Sequence, residues 1–170
     1  MKRIIPERNY FRKMGDFIWK GSRVTTALKV DFFPRKHFPE RLIAFVVIGA
    51  FYKGKSIFVR HKEERTWELP GGHRDEQESS FDAAVRALKE ETGASSFSLY
   101  LLGTYCVRIN KETEFGRLYR AEVKQMGPLG PYGIEEVVLE DEIPEQLTYP
   151  AIQPDLYQIC LKNRRKKDKN

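Results

Sequence analysis

The sequence predicts an α+β or α/β domain, with a central mixed β-sheet held between helical layers. Three observations lead there. Residues 42–51, LIAFVVIGAF, are apolar throughout and rich in β-branched side chains, as a strand buried on both faces requires. Several shorter alternating segments follow it. Two stretches of helical spacing, one near residues 81–91 and one over 150–162, break and close the series without strict β–α alternation. At 170 residues the chain fits one domain with a core large enough to fold alone.

Taken in order, residues 1–19 are mixed and basic and carry a poor structural signal. Residues 22–33 alternate enough for an edge strand that stops before Pro34. The apolar run 42–51 comes next, then Lys53-Gly54 as a turn and a second strand over 56–60, so the pair reads as a hairpin. Residues 63–65 form a polar loop, and Pro70-Gly71-Gly72 permits a tight turn with exposed backbone. Residues 96–109 are strand-like, with Gly103 as a bulge, and 115–123 alternate as another strand. Three glycines within residues 126–133 make a loop, and 134–139 a short strand. The closing helix over 150–162 places Ile152, Leu156, Ile159 and Cys160 on one side, with Pro154 in its first turn.

Charge separates body from tail. The net charge is +6, but residues 162–170, KNRRKKDKN, hold six Lys/Arg and one Asp, so residues 1–161 are near +1. This excludes a uniformly basic nucleic-acid binder and leaves a single domain over 1–161 followed by a basic, disordered tail over 162–170. Nucleic-acid contact is then an option for the tail alone. Cys106 and Cys160 have neither zinc-ligand spacing nor the pattern of a disulfide framework. The longest apolar run, 11 residues over 42–52, is too short to span a bilayer, which takes about 20. No secretory leader is legible, and the cytoplasm is the expected compartment.

The chemistry concentrates in residues 69–94, LPGGHRDEQESSFDAAVRALKEETGA. Ser79 or Ser80 supplies a helix N-cap. Steps of about 100° put Phe81, Ala84, Val85 and Leu88 on an apolar stripe, with Glu90 and Glu91 off it beside position 87. Carboxylates gathered at one spot repel unless a cation joins them, and a hard divalent ion suits them. Arg86, four residues before Glu90, is placed for a local ion pair. Outside this helix, Arg60 and His61 end a strand where they can meet phosphate, and Trp67 is placed to stack on a base. His73 and Gln153 are polar residues read as a solvated loop side chain and a helix-start contact.

The spacing Gly72, Glu78, Arg86, Leu88, Glu90, Glu91, Gly93 resembles the Nudix hydrolase signature G-x5-E-x7-R-E-U-x-E-E-x-G-U, where U is a bulky apolar residue. The Nudix box then covers residues 72–94, preceded by the family-like lead-in Trp67-Glu68-Leu69-Pro70-Gly71-Gly72. Ala94 stands for the last apolar residue, and Ala87 stands where the signature has a glutamate. The resemblance implies an αβα sandwich. It implies metal-dependent hydrolysis of a pyrophosphate bond in a nucleoside diphosphate derivative, with Mg2+ or Mn2+ as cofactor. It makes Glu90 and Glu91 metal ligands and brings the backbone of Gly71 and Gly72 close to metal or substrate. Glu78 and Arg86 become braces, and Glu135 or Glu136 a replacement base for the missing acid. The partner is a small-molecule nucleotide, and a homodimer is common in such a family. Asn110 and Glu112 occupy positions where particular subgroups carry a proline or a tyrosine. The expected substrate is therefore a nucleoside triphosphate, an oxidised purine nucleotide among them, as for MutT-like members. The alternative is a catalytically impaired nucleotide- or RNA-binding module.

Overall fold

The computed structural model describes residues 29–34, 36–109 and 112–167. The expected strand before Lys29, the basic residues 1–19, Asn110, Lys111 and the last residues of the tail lie outside these. In chain order the elements are β1 (Lys29–Phe33), a 3-10 turn (Glu40–Leu42), β2 (Ile43–Tyr52), β3 (Lys55–His61), β4 (Gly71–His73), α1 (Ser80–Thr92), β5 (Ala94–Ile109), β6 (Glu112–Met126), β7 (Ile134–Glu140) and α2 (Gln153–Lys167).

The strands form one mixed sheet in the order β1-β5-β6-β2-β3-β7, with β4 also paired to β2. Among the strand pairs of the described residues, only β2–β6 is parallel. The β2–β3 hairpin turns at Lys53 and Gly54 with φ of 48° and 87°, and the left-handed backbone at Gly54 suits a residue without Cβ. The register of β5 against β6 slips at Leu101/Gly103, the bulge expected at that glycine.

Alternation along β2 divides the core in two. Phe45, Val47 and Phe51 point to one face, where Phe58, Leu69, Tyr105, Leu156, Tyr157 and Cys160 join them under α2. Val46, Ile48 and Ala50 point to the other, against Ala83, Ala84, Ala87 and Leu88 of α1. The architecture is thus the expected helix–sheet–helix sandwich. α2 lies close on β2 because Gly49 has no side chain: a Cβ there would meet the Cys160 Sγ at 2.4 Å. Both cysteines are free and buried. Burial pushes the Cys160 thiol up to about 12.

α2 differs from its expectation at both ends. It begins at Gln153 and runs on through Lys167, so the basic run from Lys162 starts as helix and not as tail. The reason is local anchoring. The Arg164 guanidinium donates to the Gly54 carbonyl at 2.8 Å, pairs with Glu122 at 3.4 Å and lies 4.4 Å over the Phe51 ring. Arg120 donates to the Asn163 carbonyl near the helix end.

β2 and β3 pair only near their turn, at Phe51–Ser56 and Tyr52–Lys55. Beyond it they part, and the chain over 68–73 fills the gap. Val59 exchanges backbone hydrogen bonds with Glu68 at 2.9 and 3.0 Å, while β4 pairs with Phe45, Val46 and Val47. This inserted segment carries the site described below. Gly49→Ala is expected to overpack the contact with α2 and cost about 1–3 kcal/mol, read as a lower denaturant midpoint. An unchanged midpoint would show that α2 is not seated on Gly49.

Candidate active site at the inserted strand

α1 is capped at both ends by its sequence. The Ser79 Oγ accepts from the Asp82 N–H at 3.1 Å, and Gly93 closes the helix in the left-handed conformation, φ 72°. The Glu40 carboxylate adds a second acid at the N-terminus, accepting from the Ser80 N–H at 2.8 Å.

The buried side of α1 is Ser80, Ala83, Ala84, Ala87, Leu88 and Thr92. Phe81 is 50% exposed and Val85 half-buried, so the stripe expected from Phe81, Ala84, Val85 and Leu88 is rotated by roughly 60° at 100° per residue. The physical reason is size. Small alanines let the helix approach the sheet closely, which the larger Phe81 and Val85 would prevent. Two consequences follow. Ala87 does not share an open patch with Glu90 and Glu91: it is 3% exposed and packed in the core. Glu91, instead of lying off the apolar side, sits near the middle of the buried arc.

Glu91 therefore faces the inserted strand. Its Oε2 accepts from the Gly71 N–H at 2.9 Å, and its side chain is only 13% exposed. Its Oε1 lies 3.7 Å from His61 Nε2, and that nitrogen is also 3.0 Å from Glu68 Oε1. Burial, and next the negative charge of Glu68, push the Glu91 carboxyl up to about 8. The Glu68 carboxylate raises His61 above the usual imidazole range. Burial and Glu68 likewise hold the Tyr149 hydroxyl protonated, well above its ordinary value.

Glycine is required at 71, since a Cβ would meet the Val46 carbonyl oxygen at 2.4 Å. At Gly72 a Cβ would meet nothing within 4 Å, so open space adjoins the backbone there. Arg86 braces the loop before the helix. Its Nε and Nη2 donate to the two Glu78 oxygens at 2.8 Å each, and Nη2 also donates to the His73 carbonyl at 2.9 Å. The pair holds Glu78 below the usual carboxylate range. Arg86 reaches Glu90 at 3.9 Å, the local pair expected at i,i+4.

The other expected residues stand on the far side of β3. Arg60 lies 4.9 Å over the Trp67 ring and donates to Glu135 at 3.1 Å and to Glu136 at 2.6 Å. Arg60 thus joins the other three. Gln153 accepts from the Leu69 N–H at 3.0 Å and is buried, the helix-start contact expected of it. Lys55 donates to Asp141 at 3.1 Å, and Leu147 pairs with Trp67.

Among the described residues, no three His, Cys, Asp or Glu side chains are gathered closely enough to enclose a metal ion. Magnesium does not need enclosure. It is bound through one or two carboxylates, with waters and phosphate oxygens completing its shell. A carboxylate already buried, anchored by one oxygen and crowded by a second acid fits that mode, because a cation would offset both the burial and the neighbouring charge that raise it.

The NUDIX domain model matches residues 40–157, well over half of the chain. The chain belongs to the Nudix family. Among curated Nudix relatives, the provisionally named 8-oxo-dGTP diphosphatase YtkD of Bacillus subtilis is 35% identical over 98 residues, 57% of this chain and 61% of that protein. The match thus spans less than two thirds of that relative's length. Among solved structures, the Bacillus subtilis pyrophosphohydrolase BsRppH, crystallised as a glutamate-to-alanine mutant, is 28% identical with a TM-score of 0.66, covering 81% of this chain and 90% of that one. A UDP-X diphosphatase shares the fold at 17% identity and TM-score 0.62, over 79% and 68% of the two chains.

The structure joins Glu91 to Gly71 and Glu78 to Arg86. Two residues enter that the box does not contain. Glu68 was legible only as part of the lead-in, and His61 only as a phosphate contact. Their meeting depends on the Val59–Glu68 pairing, which joins segments that no local pattern connects. Arg74 was also missed. It holds the loop by donating to the carbonyls of Ile43, Asp75, Glu76 and Glu78 at 2.7 to 3.3 Å.

Arg86→Ala is expected to lower stability at neutral pH by about 1–2 kcal/mol, reduced from the value of a buried charged pair because Arg86 is partly exposed. Glu78 is depressed in the folded state, so its contribution is present above its ordinary value of 4.5 and is lost as the pH falls through the folded value. Denaturation of both proteins across this range should show the difference shrinking on acidification. A pH-independent difference would mean that the ion pair is not its source.

Proposed function

We propose that the chain hydrolyses a pyrophosphate bond in a nucleoside diphosphate derivative, with a nucleoside triphosphate, including oxidised purine forms, as the substrate class. The observation that carries this reading is the inward Glu91, tied to the Gly71 N–H and crowded by Glu68 beside open backbone at Gly72. Membership of the Nudix family and the activities for which YtkD and BsRppH are named support it. A bound Mg2+ or Mn2+ would neutralise phosphate oxygens and favour attack by water at phosphorus. Glu91 and Glu90 are the box residues that would hold it. Gly71 and Gly72 let the diphosphate approach the backbone, and Glu78 with Arg86 keeps helix and loop in register.

The proton from water needs an acceptor, and Ala87 has none. Glu135 and Glu136 can take that role only by leaving Arg60, which now holds both. This favours a second reading, a slow or impaired nucleotide-binding module, since the loss of a general base costs on the order of 10²–10⁴-fold. Contact with nucleic acid through the basic end is not favoured by Arg164, whose guanidinium is already engaged by Gly54, Glu122 and Phe51.

The test is a panel of nucleoside triphosphates, oxidised purine triphosphates, nucleoside diphosphate conjugates and capped RNA, with Mg2+ or Mn2+, following phosphate release with and without added pyrophosphatase. Turnover is expected for at least one substrate, abolished by chelator and reduced on the order of 10²-fold or more by Glu91→Gln. Glu136→Gln should be as damaging if that residue is the base. Binding without turnover would decide for the impaired module, and full activity in Glu91→Gln would overturn the site.

A further inference from the structure

α1 offers fewer oxygens to this site than its neighbours suggest. Position 87 contributes a methyl group buried in the core, and Glu90 is drawn towards Arg86. The remaining helix acid, Glu91, nonetheless has a carboxylate companion. It comes from the inserted strand, where Glu68 is 14% exposed and its Oε1 shares the His61 Nε2 with Glu91 Oε1, at 3.0 and 3.7 Å. The two oxygens therefore lie around one imidazole nitrogen, at the end of β3.

Backbone pairing makes this arrangement firm. Glu68 is locked to Val59 by two hydrogen bonds, and Val59 lies two residues before His61 on β3. The next residue, Leu69, is fixed from the other layer by Gln153. Glu68 thus projects from a rigid element, as a ligand must. It has a defined hydrogen-bond partner of the kind that orients metal-binding carboxylates.

We propose that Glu68, positioned by His61, supplies the second metal-holding carboxylate that Ala87 lacks. The cation would then be held by an acid from the sheet insert together with those of the helix, and not by helix acids alone. His61 is then a positioning residue, and Glu68 a ligand. This rests on the metal-dependent reading given above.

The experiment measures Mn2+ binding to the metal-free full chain by electron paramagnetic resonance, without nucleotide and independent of turnover, with thermal melting as the check on folding. Glu68→Gln is expected to weaken Mn2+ binding tenfold or more while the protein stays folded. His61→Ala should weaken it about 10–100-fold, as loss of a ligand's hydrogen-bond partner does. His61→Gln, whose amide N–H can replace the Nε2 donor, should recover most of the loss. Wild-type affinity in both Glu68→Gln and His61→Ala would overturn the assignment and leave the metal site to the helix. If the wild-type chain binds no Mn2+, the metal-dependent reading fails and this inference fails with it. Binding that is lost in Glu91→Gln but kept in Glu68→Gln would separate the two, sparing the first and refuting the second.

Discussion

The bond from the Gly71 N–H to the Glu91 carboxylate is the contact around which the site is assembled. It requires an acid on the sheet-facing side of a helix, where an apolar residue would ordinarily pack. Burying a carboxylate there is unfavourable, and its elevated proton affinity records the cost. The fold accepts it because the neighbours on that arc are small. Ala83, Ala84 and Ala87 bring α1 close to the sheet, near enough for the Glu91 side chain to reach the inserted strand. A local rule of burial is broken here, the pattern expected where selection acts on chemistry.

The same inserted segment is held from several directions. Gly71 is tied to α1 through Glu91, and the His73 carbonyl through Arg86. Leu69 is tied to α2 through Gln153, and Trp67 to the late loop by backbone bonds with Gln146 and Thr148. Both helical layers thus grip one short piece of chain lying between β2 and β3. Splitting that hairpin costs ladder bonds within β2 and β3. The insert restores them, since Val59 bonds to Glu68 and Ile48 to Pro70. A glycine pair in the insert lets backbone come close to backbone at Gly71 and leaves open space at Gly72.

Position 87 shows how one residue serves packing and chemistry differently. A glutamate there would bring an oxygen donor into the buried arc beside Glu91. Alanine brings only volume, and the helix closes on the sheet. Whatever proton transfer the reaction needs must then come from elsewhere. The acids on β7 are engaged by Arg60 stacked on Trp67, so their participation would require that cluster to open. Glu68 and Glu91, by contrast, are two carboxylates set around one His61 nitrogen.

The sequence by itself determined the strands other than β4, whose Gly71-Gly72 it read as a turn, together with the hairpin, the bulge at Gly103, both helices and the glycine-to-glutamate spacing of the box. These are short-range properties: apolar alternation, turn residues, caps and the 3.6-residue repeat act within a few positions of one another. It misjudged the face of α1, because hydrophobicity alone ranked Phe81 and Val85 above the alanines, whereas close packing favoured the smaller side chains. The end of α2 was likewise read from charge, while Arg164 found Gly54, Glu122 and Phe51 across the sheet. Only the tertiary structure decided that Glu91 points inward, that Ala87 belongs to the core, and that Glu68 and His61 join the site. Each depends on strands and helix meeting over long sequence separations, and the strength of such contacts is set by what surrounds them, not by what adjoins them in the chain.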